Sequence, residues 1–541
     1  MSLEKSVDAE QSSPLAGPSG EAAAPAFTDD QPKPGELWHV GPCHLGYGLD
    51  NQDSFSQYYE GPWEYLPGGH HPIHLGDIIG GPKKYKVLHK LGSGRSANVW
   101  FCSMLGQDPP FYVAVKVLKA CASQPENNEL TIGRFLRNMG YHYYDIVDNL
   151  TYPWRDFTLE GPNGTHQCFV YPVQGPTVCK VDGHFNNPHV YLRELTRKAA
   201  YAMGVTQGCN MIHNDFRPSN ILIEIGGLAG KSEEEVMAIL GEPQGANVVK
   251  YPGADATANP PEYIIFPASE NLLCQSRETL TVIDFGNSFR EGKGSPPRAS
   301  GAPSHYAAPE VVFSNQGQAS LASDIWALAC TLYEIRFGEK LFHCESDHVE
   351  GYIHALVKHC GKVPERWWSA PPWNLQEAWH KSHSDPRLHG GPATEEAIEP
   401  EATVRWRHIQ AAVAKKVAHP ITSPESVRRW EEARSAPWVP GTEPVSMAFH
   451  ECIPEEEQRL FADLLYKMTE LEPAKRLVIA EVAAHPWFDY VRRHDVPDGP
   501  ASPHGVEDVE SGAGASDTGT NGEAEAEEGS KTEPESGEQK A

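Results

Sequence analysis

The apolar positions change period once along the chain. Between Tyr85 and Leu105, "YKVLHKLGSGRSANVWFCSML" alternates apolar and polar residues around a glycine-rich turn. That pattern predicts a strand, a tight loop and a second strand. Phe111–Ala120, "FYVAVKVLKA", predicts a further strand. In "PENNELTIGRFLRNM" the residues Leu130, Phe135, Leu136 and Met139 recur at helical spacing. His166–Val173, "HQCFVYPV", is apolar and β-rich, the last strand expected of this sheet. From Asn187 the period becomes helical, starting with "HVYLRELTRKAAYAMGVTQG", and most long helical patterns follow it. The expected fold class is α+β: a small β-rich lobe followed by a large, mainly helical one.

Two stretches interrupt the helical lobe. One is about 225–275, with "KSEEEVMAILGEPQ" and "PPEYIIFPASENLL"; the other is about 341–455, with Trp and Pro throughout. Both carry apolar clusters and are expected to be partly folded insertions. Residues 36–80 are aromatic, glycine-rich and irregular, an extension expected to pack on a domain. The expected layout is a disordered segment 1–35, the extension 36–80, a small lobe 81–173, a large lobe 174–490 and a disordered acidic tail 491–541.

Composition supports that layout. All 13 Trp and all 20 Tyr lie within 36–490, so the core must form there. The two ends lack the apolar surface needed to offset their ordering entropy. Net charge is −28, which argues against a general nucleic-acid or anionic-membrane binder and would suit basic partners or simple solubility. The 11 cysteines show no close CxxC pair, so a reducing compartment, cytoplasm or nucleus, is expected. The opening "MSLEKSVDAEQSSP" has no apolar signal region, and no stretch approaches the length of a membrane span. His70, His71 and His74 are expected to play a non-metal role, because no carboxylate or Cys pattern completes a ligand set.

The candidate chemistry is distributed in order. Gly92 and Gly94, in "LGSGRSANVW", let backbone approach phosphate groups closely and present N–H donors. Taken alone, such a hairpin is more often a structural turn, and a lone strand lysine such as Lys116 in "VAVK" is usually a surface residue. Glu129 opens the helical segment thirteen residues after Lys116 and could pair with it across the sheet. In "MIHNDFRPSNILIEI", Asp215 could accept the proton of an attacking hydroxyl, and Asn220 could hold Mg²⁺ through its amide oxygen. "TLTVIDFG" ends near Asp284, whose carboxylate could take the same metal. Phosphoryl transfer needs in-line positioning, metal to neutralise phosphate charge, and an acceptor base. Lys116, Asp215, Asn220 and Asp284 supply that set.

These residues, with "YAAPE" (Tyr306–Glu310), "SDIWALAC" (Ser323–Cys330), "ELEPAKR" (Glu470–Arg476) and "HPWF" (His485–Phe488), occur in the order of the eukaryotic protein kinase motifs. The chain resembles that family over roughly 77–490. Its entry segment "HPIHLGDIIGGPKKYKVLHKLGSGRSANVW" and "LEGPNGTHQCFV" resemble SR-protein kinases of the fungal type. The resemblance implies a two-lobed Ser/Thr kinase using ATP and Mg²⁺ on a protein substrate, basic or Arg/Ser-rich, acting as a monomer. It implies that Leu91, Gly92, Gly94, Val99, Ala114 and Gln174 contact the nucleotide, and that the hinge falls near Pro172–Gln174. Lys116, fixed by Glu129, would hold the α- and β-phosphates. Asp215 would be the base, and Asn220 and Asp284 the metal ligands. Glu310 and Arg476 would form a buried ion pair, and Asp324 would bond the catalytic-loop backbone.

Three positions depart from the family pattern. Asn214 replaces an Arg that pairs with a phosphorylated activation loop, and SR-protein kinases share its loss. Arg217 replaces the Lys that contacts the transferred phosphate, keeping the charge with a bulkier, planar fork. Pro303 stands where a Thr is usual, with Ser304 beside it. Glu345, Asp347 and Glu350 could form an acidic substrate groove or a solvated surface. A pseudokinase scaffold is the alternative function, and a small-molecule kinase a third.

Overall fold

The computed structural model describes residues 47–49, 60–124, 127–140, 144–178, 188–250, 255, 257–268, 276–292, 304–313, 319–343, 349–368, 401–420 and 448–494. The first strand, β1 (Tyr47–Leu49), lies in the extension, as does β2 (Ile78–Ile79). The glycine-rich hairpin is β3 (Tyr85–Ser93) and β4 (Ala97–Met104), followed by β5 (Tyr112–Leu118). Helices α1 (Asn128–Gly140) and α2 (Tyr144–Asn149) come next, then β6 (Arg155–Gly161) and β7 (Gly164–Tyr171). Strands β2 to β7 form one antiparallel sheet in the order β2-β3-β4-β5-β7-β6.

Alternation along β5 decides what its residues can do. Val113, Val115 and Val117 face one way and bury with Val87, Trp100, Cys102, Cys168 and Val170. Ala114, Lys116 and Leu118 therefore face the other way, and Leu118 packs there with Ala97, Leu130 and Phe169. Leu130 belongs to α1, so the lysine and the helix share one side of the sheet. On α1, Leu130 and Leu136 are buried, while Phe135 and Met139 pack from its partly buried flank. Gly133 lets α1 come close to its neighbour, since a Cβ there would meet the Pro153 ring at 2.7 Å.

The second lobe begins with α3 (Pro188–Gly208). Two short ribbons follow: β8 (Met211–Ile212) with β13 (Phe289–Arg290), and β9 (Ile221–Ile225) with β12 (Ser276–Val282). Between them lie α4 (Glu233–Leu240), β10 (Gly245–Lys250) and β11 (Tyr263–Ile265). Helices α5 (Pro309–Phe313), α6 (Leu321–Phe337), α7 (Val349–Cys360) and α8 (Glu365–Trp368) follow. Next come α9 (Glu401–Val413) and the ribbon β14 (Lys416–Pro420) with β15 (Ala448–Cys452). Helices α10 (Glu455–Met468), α11 (Ile479–Ala483) and α12 (Pro486–His494) close the described chain.

Helix α6 is the centre of this lobe. It is buried nearly all round, which is how a helix surrounded by others reads. A capping box at Ser320 and Ser323 starts it, and Gly338 with φ +70° ends it. Arg336 on α6 and Glu457 on α10 form a pair with neither side chain exposed.

The two interruptions carry folded elements that join the cores of the two lobes. In the first, Val236 and Leu240 of α4 pack with Leu88, Phe101 and Tyr112, so this part of the 225–275 segment serves the small sheet. Its strand β10 pairs with β1 on one edge and β11 on the other, tying it to the extension. Strand β2 likewise carries the extension into the small-lobe sheet. In the second, Leu341, Tyr352, Leu356, Trp367 and Ile409 belong to the main core. The described parts of 341–455 are therefore integral to the large lobe. Apolar surface that has no other partner is buried where it fits, whatever its place in the motif order.

Candidate active site

Lys116 is the junction of the site. Its Nζ lies 2.9 Å from both Glu129 carboxylate oxygens and 3.0 Å from Asp284 Oδ1. Burial works against the Lys116 charge, but Asp284 and Glu129 more than offset it and hold its pKa above the ordinary value. Lys116 in turn holds the Asp284 carboxyl below its usual range, against the effect of burial. Tyr171 donates its hydroxyl to Glu129 Oε1, locking the carboxylate from the strand side. Strand pairing places Val99 opposite Gly92 on one side and opposite Lys116 on the other. The hairpin thus lies next to the lysine.

The catalytic loop is held by its backbone. Asp324, on α6, accepts from the N–H of His213 at 2.6 Å and of Asn214 at 3.0 Å. Asn214 takes φ +62°, a left-handed conformation that Asn tolerates better than most residues. Its Nδ2 reaches Asn287 O at 3.3 Å, a contact with neutral backbone. His213 is fully buried, and burial pushes its pKa down to about 4. The Asp215 N–H donates to His213 Nδ1 at 3.3 Å, so Nε2 carries the proton and donates to Ile283 O at 3.1 Å.

Both oxygens of Asp215 are engaged. Arg217 Nε donates to Oδ1 at 2.9 Å, and Asn220 Nδ2 donates to Oδ2 at 3.1 Å and to the Asp215 carbonyl at 2.9 Å. Burial raises the Asp215 pKa to about 6, with Arg217 pulling against it. Such a value suits a base working near neutrality. The remaining nitrogens of Arg217 make no hydrogen bond among the described residues, and its side chain is 29 % exposed.

Asp284 also takes the left-handed region, at φ +65°. Phe285 follows it into the core, 1 % exposed, with its ring 5.2 Å from that of His213. Asn128 on α1 donates to the carbonyls of Gly286 and Ser288. Helix α1 is thereby fastened to the segment after Asp284 as well as to Lys116. Ser288 Oγ closes the arrangement on His213 O at 3.0 Å.

The residues present fit a divalent metal and a nucleotide. Asn220 Oδ1 and Asp284 Oδ2 accept no hydrogen bond among the described residues, while their partner atoms are tied down. Two oxygen ligands, one of them charged, suit Mg²⁺. A Cβ at Gly92 would meet nothing within 4 Å. Leu91 packs beside Leu88 and Phe101, and Ala114 lies opposite Phe101 and Tyr171. Gln174 differs from the others: its Nε2 donates to Thr151 Oγ1 at 3.1 Å.

The support of the large lobe is also in place. Arg476 forms a two-point pair with Glu310, Nη1–Oε1 2.9 Å and Nη2–Oε2 3.0 Å, and donates to Ala322 O at 2.6 Å. Tyr352 OH holds Ala307 O at 2.7 Å. Pro303, Glu345 and Asp347 lie outside the described residues, as do the side chains of Ser304 and Glu350. The extension's histidines contact protein groups. His74 Nε2 accepts from the Glu262 N–H at 3.1 Å, His70 Nε2 lies 3.7 Å from Glu64, and the His71 ring is 4.9 Å from that of His166.

Sequence reasoning did not single out Asn128, Tyr171 or Ser288. Their signal is weak, since a polar residue before a helix or at a strand end is common. It also passed over Glu60 and Lys90, though a lysine within the apolar run of β3 is an available sign.

A protein kinase domain model matches residues 268–488. SRSF protein kinase 3 from Homo sapiens is 28 % identical over 191 residues, 33 % of this chain and 31 % of that one. Serine/threonine-protein kinase spk-1 from Caenorhabditis elegans is 29 % identical over 224 residues, 39 % of this chain and 21 % of that one. Serine/threonine-protein kinase SRPK from Physarum polycephalum is 21 % identical over 343 residues, 58 % and 75 % of the two chains. The chain thus spans about a third or less of the length of the first two relatives. A solved kinase domain covers 77 % of this chain and 98 % of its own at 16 % identity, with a TM-score of 0.44.

Proposed function

We propose that this chain, an SR-protein-kinase-like protein with a protein kinase domain, transfers the γ-phosphate of Mg·ATP to serine or threonine hydroxyls of a protein substrate. The observation that carries the reading is the convergence on Lys116. One ammonium joins Glu129 of α1 and Asp284 of the metal-ligand segment, while Asn220 joins the base Asp215 from the other side.

Bound Mg²⁺ would neutralise phosphate charge during transfer. Asn220 and Asp284 would hold it, and Lys116 would hold the nucleotide phosphates. Asp215, ionised above about pH 6, would orient the substrate hydroxyl and accept its proton. Arg217 would take two roles: Nε positions the Asp215 carboxylate, and the outer guanidinium nitrogens face the transferred phosphate. A basic or Arg/Ser-rich substrate is consistent with the chain's net charge of −28. We place the enzyme in the cytoplasm or nucleus, as a monomer, with the non-specific serine/threonine protein kinase activity.

The test is transfer of labelled γ-phosphate from Mg·ATP to basic and Arg/Ser-rich proteins, with Asp215→Asn as control. Incorporation into Ser or Thr by the wild type, lost in the control, is expected. Equal incorporation by both, or none by either, overturns the reading.

A further inference from the structure

A buried carboxylate in the extension meets the glycine-rich hairpin from below. Glu60 is 3 % exposed and Lys90, near the end of β3, is 0 % exposed. Lys90 Nζ donates to both Glu60 oxygens. Glu60 Oε1 also accepts from Tyr65 OH at 2.7 Å and from Asn98 Nδ2 at 3.0 Å. Asn98 is on β4, beside Val99, and its Oδ1 accepts from Ser93 Oγ at 2.9 Å. One carboxylate therefore ties together the extension, both strands of the hairpin and, through Asn98, the turn between Gly92 and Gly94.

Two residues between α4 and β12 brace the same point. Ala268 donates its N–H to Lys90 O at 2.6 Å, and Asn259 donates its N–H to Tyr65 O at 2.9 Å. A buried ion pair is a poor source of stability, because well-packed apolar residues of similar volume often do as well or better. What an apolar pair cannot do is direct three donors onto one group and so set the height and register of two strands.

We propose that Glu60 is a positioning residue for nucleotide binding. Through Lys90 and Asn98 it holds the glycine-rich hairpin at the height from which its backbone N–H groups reach the phosphates. What the hairpin binds rests on the kinase reading; that it is held rests on the geometry alone.

The double variant Glu60→Leu/Lys90→Met removes the pair while keeping the volume filled. The double variant has a lower Tm than the wild type, because Tyr65 OH and Asn98 Nδ2 lose their buried acceptor. Its KM and Kd for Mg·ATP rise about tenfold with kcat changed less than about twofold, the pattern of a lost binding interaction. Amide hydrogen exchange at residues 92–97 accelerates, while exchange in β5 and β7 does not. Asn98→Ala, which leaves the ion pair intact, shifts KM and exchange the same way by less. Wild-type KM and wild-type exchange in both variants overturn the proposal, whatever happens to Tm. Should the wild type bind no nucleotide, the kinase reading fails, and hairpin exchange still decides whether Glu60 holds the loop.

Discussion

Arg217 Nε donates to Asp215 Oδ1 at 2.9 Å, so the guanidinium sits on the carboxylate proposed as the base. Its positive charge lowers the Asp215 pKa against burial, which alone would raise it further above about 6. The substitution therefore ties the charge at this position to the protonation state of the base.

Removing that charge in Arg217→Ala moves the acid limb of the pH–kcat profile to higher pH. At pH 7 it lowers kcat by about 100–1,000-fold, the range for loss of one charge-stabilising donor. Arg217→Lys keeps the charge and moves the acid limb less. Steady-state kinetics from pH 5 to 9 distinguish the two variants, and an unmoved acid limb in Arg217→Ala would show that the pair has no influence on the base.

The wild-type profile itself follows from Asp215. Protonation removes the acceptor, so kcat falls as pH drops through about 6. The folded-state pKa lies above the unfolded value, so ionising Asp215 costs stability as pH rises through the folded pKa. Asp215→Asn is thus expected to stabilise the nucleotide-free protein at pH 8 by about 1–2 kcal/mol while abolishing transfer. Thermal melts at pH 5 and pH 8 check this: the gain appears at pH 8 and fades at pH 5.

Lys116→Met leaves Glu129, 5 % exposed, without its cation. Breaking a buried pair by removing one partner costs about 3–5 kcal/mol, and the variant also lacks the ammonium proposed to hold the phosphates. A lower Tm together with loss of the thermal shift on adding Mg·ATP is the expected pair of results.

Arg476→Ala separates support from chemistry. It strips Glu310 of a two-point partner and Ala322 O of a donor far from the base. Denaturant unfolding is expected to show a loss of about 3–5 kcal/mol. At a temperature where the variant stays folded, KM for Mg·ATP remains that of the wild type.

Asn214 donates to the Asn287 carbonyl through Nδ2 and to Asp324 through its backbone N–H, and a neutral amide cannot make the ion pair that reads a phosphorylated loop. Phosphatase treatment is therefore expected to leave activity unchanged, measured on enzyme whose dephosphorylation is verified by mass spectrometry.

The sequence alone determined the α+β order, the strand that carries Lys116, the helix that carries Glu129 and the loop spacing of Asp215 and Asn220. These depend on short-range alternation, helical period and turn geometry, which act within a few residues and so are written locally. Tertiary structure decided the rest. Glu60 meets Lys90 across 30 positions, α4 packs on the small sheet instead of the lobe that surrounds it in sequence, and Leu341, Tyr352, Leu356 and Trp367 fill the main core. Arg217 turns to Asp215, and Gln174 to Thr151. No local pattern encodes such pairings, because closing a longer loop adds little entropic cost, and which distant surfaces meet is settled by packing and by the need to satisfy buried polar groups.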